Sequence, residues 1–226
     1  MRLLVYGMQS SGATAFSLFL AQRPGCLGLV DILNNYAAPR LATSKDVVAK
    51  VVVTTAYPLE IHQERFQPDK TILFLRDPRD NYESLRRKQY RNHSGLIDEK
   101  FALLDRIFEA RGRFDAVIEY ENFVARQPHV LQRLRELDWP VDASFHAFSR
   151  THVELAAALW DAVPELFEHF EFSYGNVQST HVSARFRDKP RAEGLDAHLA
   201  TLCPLLLDHY RRREARDQSG RHSSEM

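Results

Sequence analysis

Near the start of the chain, Gly7-Met8-Gln9-Ser10-Ser11-Gly12-Ala13-Thr14 combines two glycines with three hydroxyl side chains, directly after the apolar run Leu3-Leu4-Val5-Tyr6. A strand that runs through such a loop into a helix offers an anion free backbone N–H groups and the positive end of the helix dipole. Glycine at 7 and 12 allows a sharp turn and a close approach to phosphate, and Ser10, Ser11 and Thr14 add hydroxyl donors. The glycine spacing is that of a nucleotide-binding phosphate loop, G-x-x-x-x-G-K-[ST], with Ala13 where lysine would stand. That lysine balances the β- and γ-phosphates of a triphosphate, and the next hydroxyl binds magnesium. Its absence argues against an ordinary kinase or ATPase. A plain strand-turn-helix, with glycine for geometry alone, is the alternative.

A second cluster is Leu75-Arg76-Asp77-Pro78-Arg79-Asp80-Asn81-Tyr82-Glu83-Ser84-Leu85. Arg76 follows the apolar run Thr71–Leu75 and so falls at the carboxyl end of a strand, where ligands bind in open parallel sheets. Pro78 suits a first helical position. Ser84 then lies about two turns along the helix, on a face Arg76 can share, and a guanidinium with a hydroxyl can hold a phosphate. A surface arginine beside a helix cap is the other reading.

Together these segments resemble the sulfotransferases that use 3′-phosphoadenosine 5′-phosphosulfate (PAPS), whose fold is related to nucleotide kinases. The resemblance implies that Gln9, Ser10, Ser11, Gly12, Ala13 and Thr14 form the 5′-phosphosulfate loop, where the family has a basic residue followed by Ser-Gly-Thr-Thr. It implies that Arg76 and Ser84, with the family's identity and spacing, hold the 3′-phosphate. Backbone N–H groups of Ser11 to Thr14 would then stabilise the sulfuryl oxygens and the 5′-phosphate during in-line displacement at sulfur, with adenosine 3′,5′-bisphosphate leaving and no metal required. Two weaker matches are Val117–Phe123 followed by Pro128, similar to the family's Tyr-Glu-Asp-Leu segment, and Tyr174 to Arg191, similar to its late basic loop. The latter brings Ser183, Arg185, Arg187, Lys189 and Arg191 forward as nucleotide contacts. The resemblance spans residues 1 to about 195.

The chain departs from this pattern in two places. The family's basic loop residue aligns with Ser10, so the cation must come from elsewhere; Lys50, Arg185 and Lys189 are candidates. The histidine found after the second strand in many members is missing from Val53-Thr54-Thr55-Ala56-Tyr57-Pro58. Asp31 is the favoured base for an acceptor hydroxyl, with helix capping as its other reading; His62 and His181 are further candidates. A small-molecule kinase with a degenerate loop would need a magnesium-binding acid, from Asp31 or Glu119. A nucleotide-binding scaffold that lost the chemistry is a third reading. The acceptor is expected near Asp31–Tyr36 and Tyr57, and a carbohydrate, a small hydroxylated metabolite and a peptide tyrosine all stay open.

These residues need a frame. With 226 residues, 44% hydrophobic and 27% charged, the chain is long enough for one sizeable soluble α/β domain. Thirty basic residues balance thirty acidic ones, so bulk charge makes no case for nucleic acid or membrane. Cys26 and Cys203 fit no metal or disulfide spacing and read as buried thiols in a reducing, cytoplasmic compartment. No apolar run reaches the ~20 residues a membrane span needs. Strands are expected at Leu3–Tyr6, Leu27–Ile32, Ala49–Thr54, Thr71–Leu75 and Ala116–Glu119, as a parallel sheet covered on both faces. Helices are expected at Ala13–Arg23, Asp80–Arg91, Ile97–Arg111, Phe123–Leu137, Glu154–Phe170 and Leu195–Arg213, so the second half is helical. Residues 1–210 read as the domain and 211–226 as a polar, disordered tail.

Overall fold

The computed structural model describes residues 1–30, 37–54, 56–93, 95–169, 180–184 and 190–223. Five short apolar runs form the sheet: β1 (Arg2–Gly7), β2 (Leu27–Leu29), β3 (Val47–Val52), β4 (Lys70–Leu75) and β5 (Ala116–Glu119). All pair in parallel, in the order β2-β3-β1-β4-β5. Helices α1 (Ala13–Ala21), α2 (Leu59–Phe66), α3 (Pro78–Arg86) and α4 (Ile97–Glu109) lie between strands in the chain. After β5 come only helices among the described elements: α5 (Tyr120–Val124), α6 (Pro128–Glu136), α7 (His152–Ala162), α8 (Leu166–His169), α9 (Leu195–Leu202) and α10 (Pro204–Ser223), with short 3₁₀ turns between some of them. The chain is thus an α/β fold with a helical second half.

Alternation along the strands divides the core. Leu4, Tyr6, Ala49, Val51, Leu73 and Leu75 pack on one side with Phe101 and Leu104 of α4, Leu199 of α9 and Leu206 of α10. Leu3, Val5, Val48, Ile72, Phe74 and Ile118 face the other side, against Phe16 and Phe19 of α1, Phe123 and Leu134. Both faces are covered, which is why the strands read as continuous apolar runs.

Several expectations shift. The expected helix Phe123–Leu137 is two, with Pro128 opening the second, and the helix from Leu195 restarts at Pro204; proline has no N–H to continue a helix and suits its first turn. Helix α2 was not expected, since Glu60, Gln63, Glu64 and Arg65 leave few apolar positions. Strand β3 begins at Val47, so Lys50 lies inside it, opposite Val5, not at its start. The supposed tail from 211 continues α10, because Arg213 bonds Glu119 and Asn122, and Glu214 bonds Arg79.

In this strand order β1 and β4 are neighbours, but the chain leaves them in opposite directions, from β1 toward β2 and from β4 toward β5. The carboxyl ends of β1 and β4 therefore lie at the point where strand order reverses, the place at which α/β sheets bind ligands.

Candidate functional site

Both sequence clusters reach that point. Loop 8–12 leaves β1 there and Arg76 follows β4. Gly7 is where the two strand ends close up: a Cβ on it would lie 2.9 Å from the Phe74 carbonyl oxygen. Ser10 (φ 60°) and Gly12 (φ 94°) both take left-handed backbone, which reverses the chain into α1. The Ser11 N–H is committed to the Met8 carbonyl at 3.2 Å, so it is not among the donors offered to an anion. The first intrahelical bond runs from Phe16 N–H to Gly12 O at 3.1 Å. The N–H groups of Ala13 to Ala15 thus have no acceptor within their own helix, the arrangement that favours an anion.

Three donors from other elements hold the loop's own acceptors. Arg76 donates from Nη1 to the Ser10 carbonyl at 3.0 Å, and Asn81 of α3 donates from Nδ2 to the Gln9 carbonyl at 2.7 Å. Lys100 of α4 donates from Nζ to Gln9 Oε1 at 2.7 Å. With its carbonyls tied back, the loop keeps its donors for a ligand. Among the described residues the buried hydroxyls of Ser10 and Ser11 find no hydrogen-bond partner, and Ser11 is only 1% exposed. Orphaned buried hydroxyls beside a helix N-terminus suit a phosphate or sulfate oxygen, and in that respect the loop fits a phosphosulfate group.

Arg76 is 3% exposed and stacks over the Tyr120 ring, 4.6 Å from its centroid. Asn81 and Ser84 are three residues apart on α3 and share a face, so half-buried Ser84 lies one turn beyond the residue that grips the loop. Asp77 caps α3 by accepting from the Arg79 N–H at 2.9 Å. Its own N–H donates to Glu121 Oε1 at 2.9 Å, and Glu121 Oε2 accepts from Tyr210 at 3.2 Å. Burial pushes the Glu121 carboxyl above the usual range. The segment after β5 is therefore a brace: Tyr120 supports the loop and Arg76, and Glu121 ties down the turn after β4.

The other sequence candidates fall as follows. Ala13 and half-buried Thr14 open α1. Asp31, Arg185, Arg187 and Lys189 lie outside the described residues. Ser183 is half-buried and follows an antiparallel bridge between His181 and Ala147. Arg191 is engaged by carboxylates, Asp80 at 3.2 Å and Asp77 at 3.4 Å. His62 is 2% exposed; its Nδ1 accepts from the Ala38 N–H at 3.3 Å, and burial holds its pKa down to about 4. It is a neutral packed imidazole. Glu119 binds His209 at 2.6 Å, Asn122 at 3.0 Å and Arg213. Burial raises its pKa, but His209 and Arg213 outweigh burial and hold it below the usual range. It anchors α10 and is a poor choice for a magnesium ligand. Among the described residues no three or more His, Cys, Asp or Glu side chains group as a metal site, and no helix is long and apolar enough to cross a membrane.

Lys100 went unrecognised in the sequence. It is fully buried, and its ammonium donates to Gln9 Oε1, to the Arg91 carbonyl at 2.7 Å and to the His93 carbonyl at 3.2 Å. Burial lowers its pKa to about 8. Its position three residues after Ile97 and four before Leu104 puts a lysine on the core-facing stripe of α4, the one signal that could have singled it out.

No family model matches the sequence, and no curated protein is significantly similar to it. Among solved structures, the crystal structure of mouse sulfotransferase SULT7A1 complexed with PAP aligns with 86% of this chain and 73% of that chain, at 12% identity and a TM-score of 0.38.

Proposed function

We propose that the chain is a sulfotransferase, moving a sulfuryl group from PAPS to a hydroxyl or amine of a small-molecule or carbohydrate acceptor. The observation that carries this reading is the meeting of the two phosphate motifs at the carboxyl ends of adjacent strands. Loop 8–12 follows β1, and Arg76 with the Asn81–Ser84 face of α3 follows β4. Each motif alone has a bland explanation. Their junction at the point where the chain diverges is where a nucleotide with phosphates at both ends of its ribose would need them.

In this reading the donor supplies an activated sulfuryl group and leaves as adenosine 3′,5′-bisphosphate. The N-terminal N–H groups of α1 and the hydroxyls of Ser10, Ser11 and Thr14 hold the phosphosulfate end. Arg76 and Ser84 serve the 3′-phosphate, Arg76 while keeping its bond to the Ser10 carbonyl. Asp31 is the base for the acceptor proton, and Ser183, Arg185 and Lys189 complete the nucleotide contacts. Lys50 stays a candidate cation. The missing loop lysine and the engagement of Glu119 with α10 favour this reading over a magnesium-dependent kinase.

The test is calorimetric titration of the purified chain with adenosine 3′,5′-bisphosphate, beside ADP and ATP with magnesium. Tight binding of the bisphosphate, weak binding of ADP and loss of binding in Ser84→Ala are expected. Preference for magnesium ATP would overturn the reading in favour of a kinase. Tight binding of the bisphosphate with no sulfuryl transfer to any acceptor in a broad screen would leave a nucleotide-binding scaffold.

A further inference from the structure

A buried ammonium normally lies against a carboxylate, because moving an unpaired charge out of water is costly. Lys100 does not. It is 0% exposed, and its three N–H bonds are used on neutral oxygens: Gln9 Oε1 and the carbonyls of Arg91 and His93. Among the described residues no carboxylate pairs with it. Its charge is thus satisfied in hydrogen bonds but uncompensated in sign, directly behind the loop that opens α1.

The contact with Gln9 also has a direction. An ammonium can only donate, so the Gln9 atom that faces it must be the carbonyl oxygen, and the planar amide then sends Nε2 along its other branch. That nitrogen carries two hydrogens and has no hydrogen-bond partner among the described residues. The backbone beneath this side chain is held as well, because Asn81 donates to the Gln9 carbonyl at 2.7 Å. A donor on Gln9 is therefore fixed in orientation within a loop whose cation positions, 10 and 13, are Ser and Ala.

We propose that Lys100 is a positioning residue of the anion site: it locks the Gln9 amide with Nε2 turned toward the ligand, and it supplies from beneath the loop the positive charge that Ser10 and Ala13 lack. The ligand class is a phosphate, pyrophosphate or phosphosulfate group. The inference rests on the reading of loop 8–12 as the anion site. In the low-dielectric interior the charge acts through the amide and across a short distance, so no direct contact with the ligand is needed.

The test titrates the full chain with inorganic pyrophosphate and, separately, with adenosine 3′,5′-bisphosphate, using wild type, Lys100→Met, Gln9→Met and the double variant. Loss of a hydrogen bond supported by charge predicts that each single variant weakens pyrophosphate about 10-fold or more. Because Gln9 is oriented only while Lys100 holds it, the double variant should be little worse than Lys100→Met alone. The Gln9 side-chain NH₂ signal in an ¹⁵N correlation spectrum should move on saturation with pyrophosphate in wild type, and respond much less in Lys100→Met. Unchanged affinity in Lys100→Met, losses that multiply in the double variant, or a Gln9 signal indifferent to pyrophosphate would each overturn the proposal. If Lys100→Met does not fold, Gln9→Met and the wild-type signal carry the test, and unchanged affinity or an unmoved signal overturns it equally. Wild type that binds pyrophosphate but not the bisphosphate refutes the sulfotransferase reading and leaves the Lys100 comparison intact; wild type that binds neither refutes both.

Discussion

The Arg76 guanidinium lies 4.6 Å from the centroid of the Tyr120 ring, and the same ring occupies the space beside Gly12. Strand β4, the segment after β5 and the loop after β1 are thereby locked into one layer. A cation on an aromatic face contributes about 2 kcal/mol when desolvated, and the bond from Arg76 to the Ser10 carbonyl adds to that.

Arg76→Met should therefore damage both fold and binding. The expected loss is about 2–4 kcal/mol in urea denaturation, with at least a 10-fold fall in affinity for adenosine 3′,5′-bisphosphate. Tyr120→Leu, which keeps the charge but removes the ring, should lose about 1–2 kcal/mol. A wild-type denaturation midpoint in Arg76→Met would show that the stack and the loop contact contribute nothing.

Gly12→Ala is a sharper probe of the loop. The backbone there is left-handed, φ 94°, and a Cβ would meet Tyr120 Cδ2 at 2.6 Å and Cε2 at 2.7 Å. Backbone strain and overpacking together predict a loss of about 2–4 kcal/mol. Pairing the substitution with Tyr120→Ala relieves the clash but not the strain, so the double variant should recover only part of the thermal stability.

His62 predicts an acid-sensitive fold. Its folded pKa, about 4, lies below the ordinary value of 6.5, so between these values the unfolded chain binds more protons than the folded one. Stability from this group is complete above pH 6.5 and is lost as pH falls toward 4, by up to about 3 kcal/mol. Urea midpoints at pH 7 and pH 5 should differ more in wild type than in His62→Asn. An identical drop in the two proteins would remove His62 as the cause.

Removing residues 211–226 deletes Arg213 and Glu214. Arg213 holds Glu119 and Asn122 at the end of β5, and Glu214 holds the buried Arg79. Stripping partners from largely buried charges predicts a cost of about 2–4 kcal/mol. A tail without packed contacts would cost less than about 0.5 kcal/mol, so thermal denaturation of the truncated chain separates the two cases.

Sequence alone determined the features that local chemistry specifies. Strands buried on both faces must be continuous apolar runs, so all five were legible, with β5 at its exact limits from Ala116 to Glu119. The loop after β1 was legible because its glycines and hydroxyls are neighbours in the chain, and Arg76 because strand, arginine and Pro78 follow one another. Helix limits were less so where a proline restarts a helix, as at Pro128 and Pro204, or where the exposed face outweighs the buried one, as in α2. What surrounds the loop was decided only by the tertiary structure. Lys100 is 91 positions from Gln9, Tyr120 reaches Gly12 from beyond β5, and Arg213 is 94 positions from Glu119. Such contacts exist only once β4, β5 and the later helices have packed against β1. The periodicity of α4 marks Lys100 as a lysine on the core-facing stripe, but its bond to Gln9 exists only once the fold closes over it.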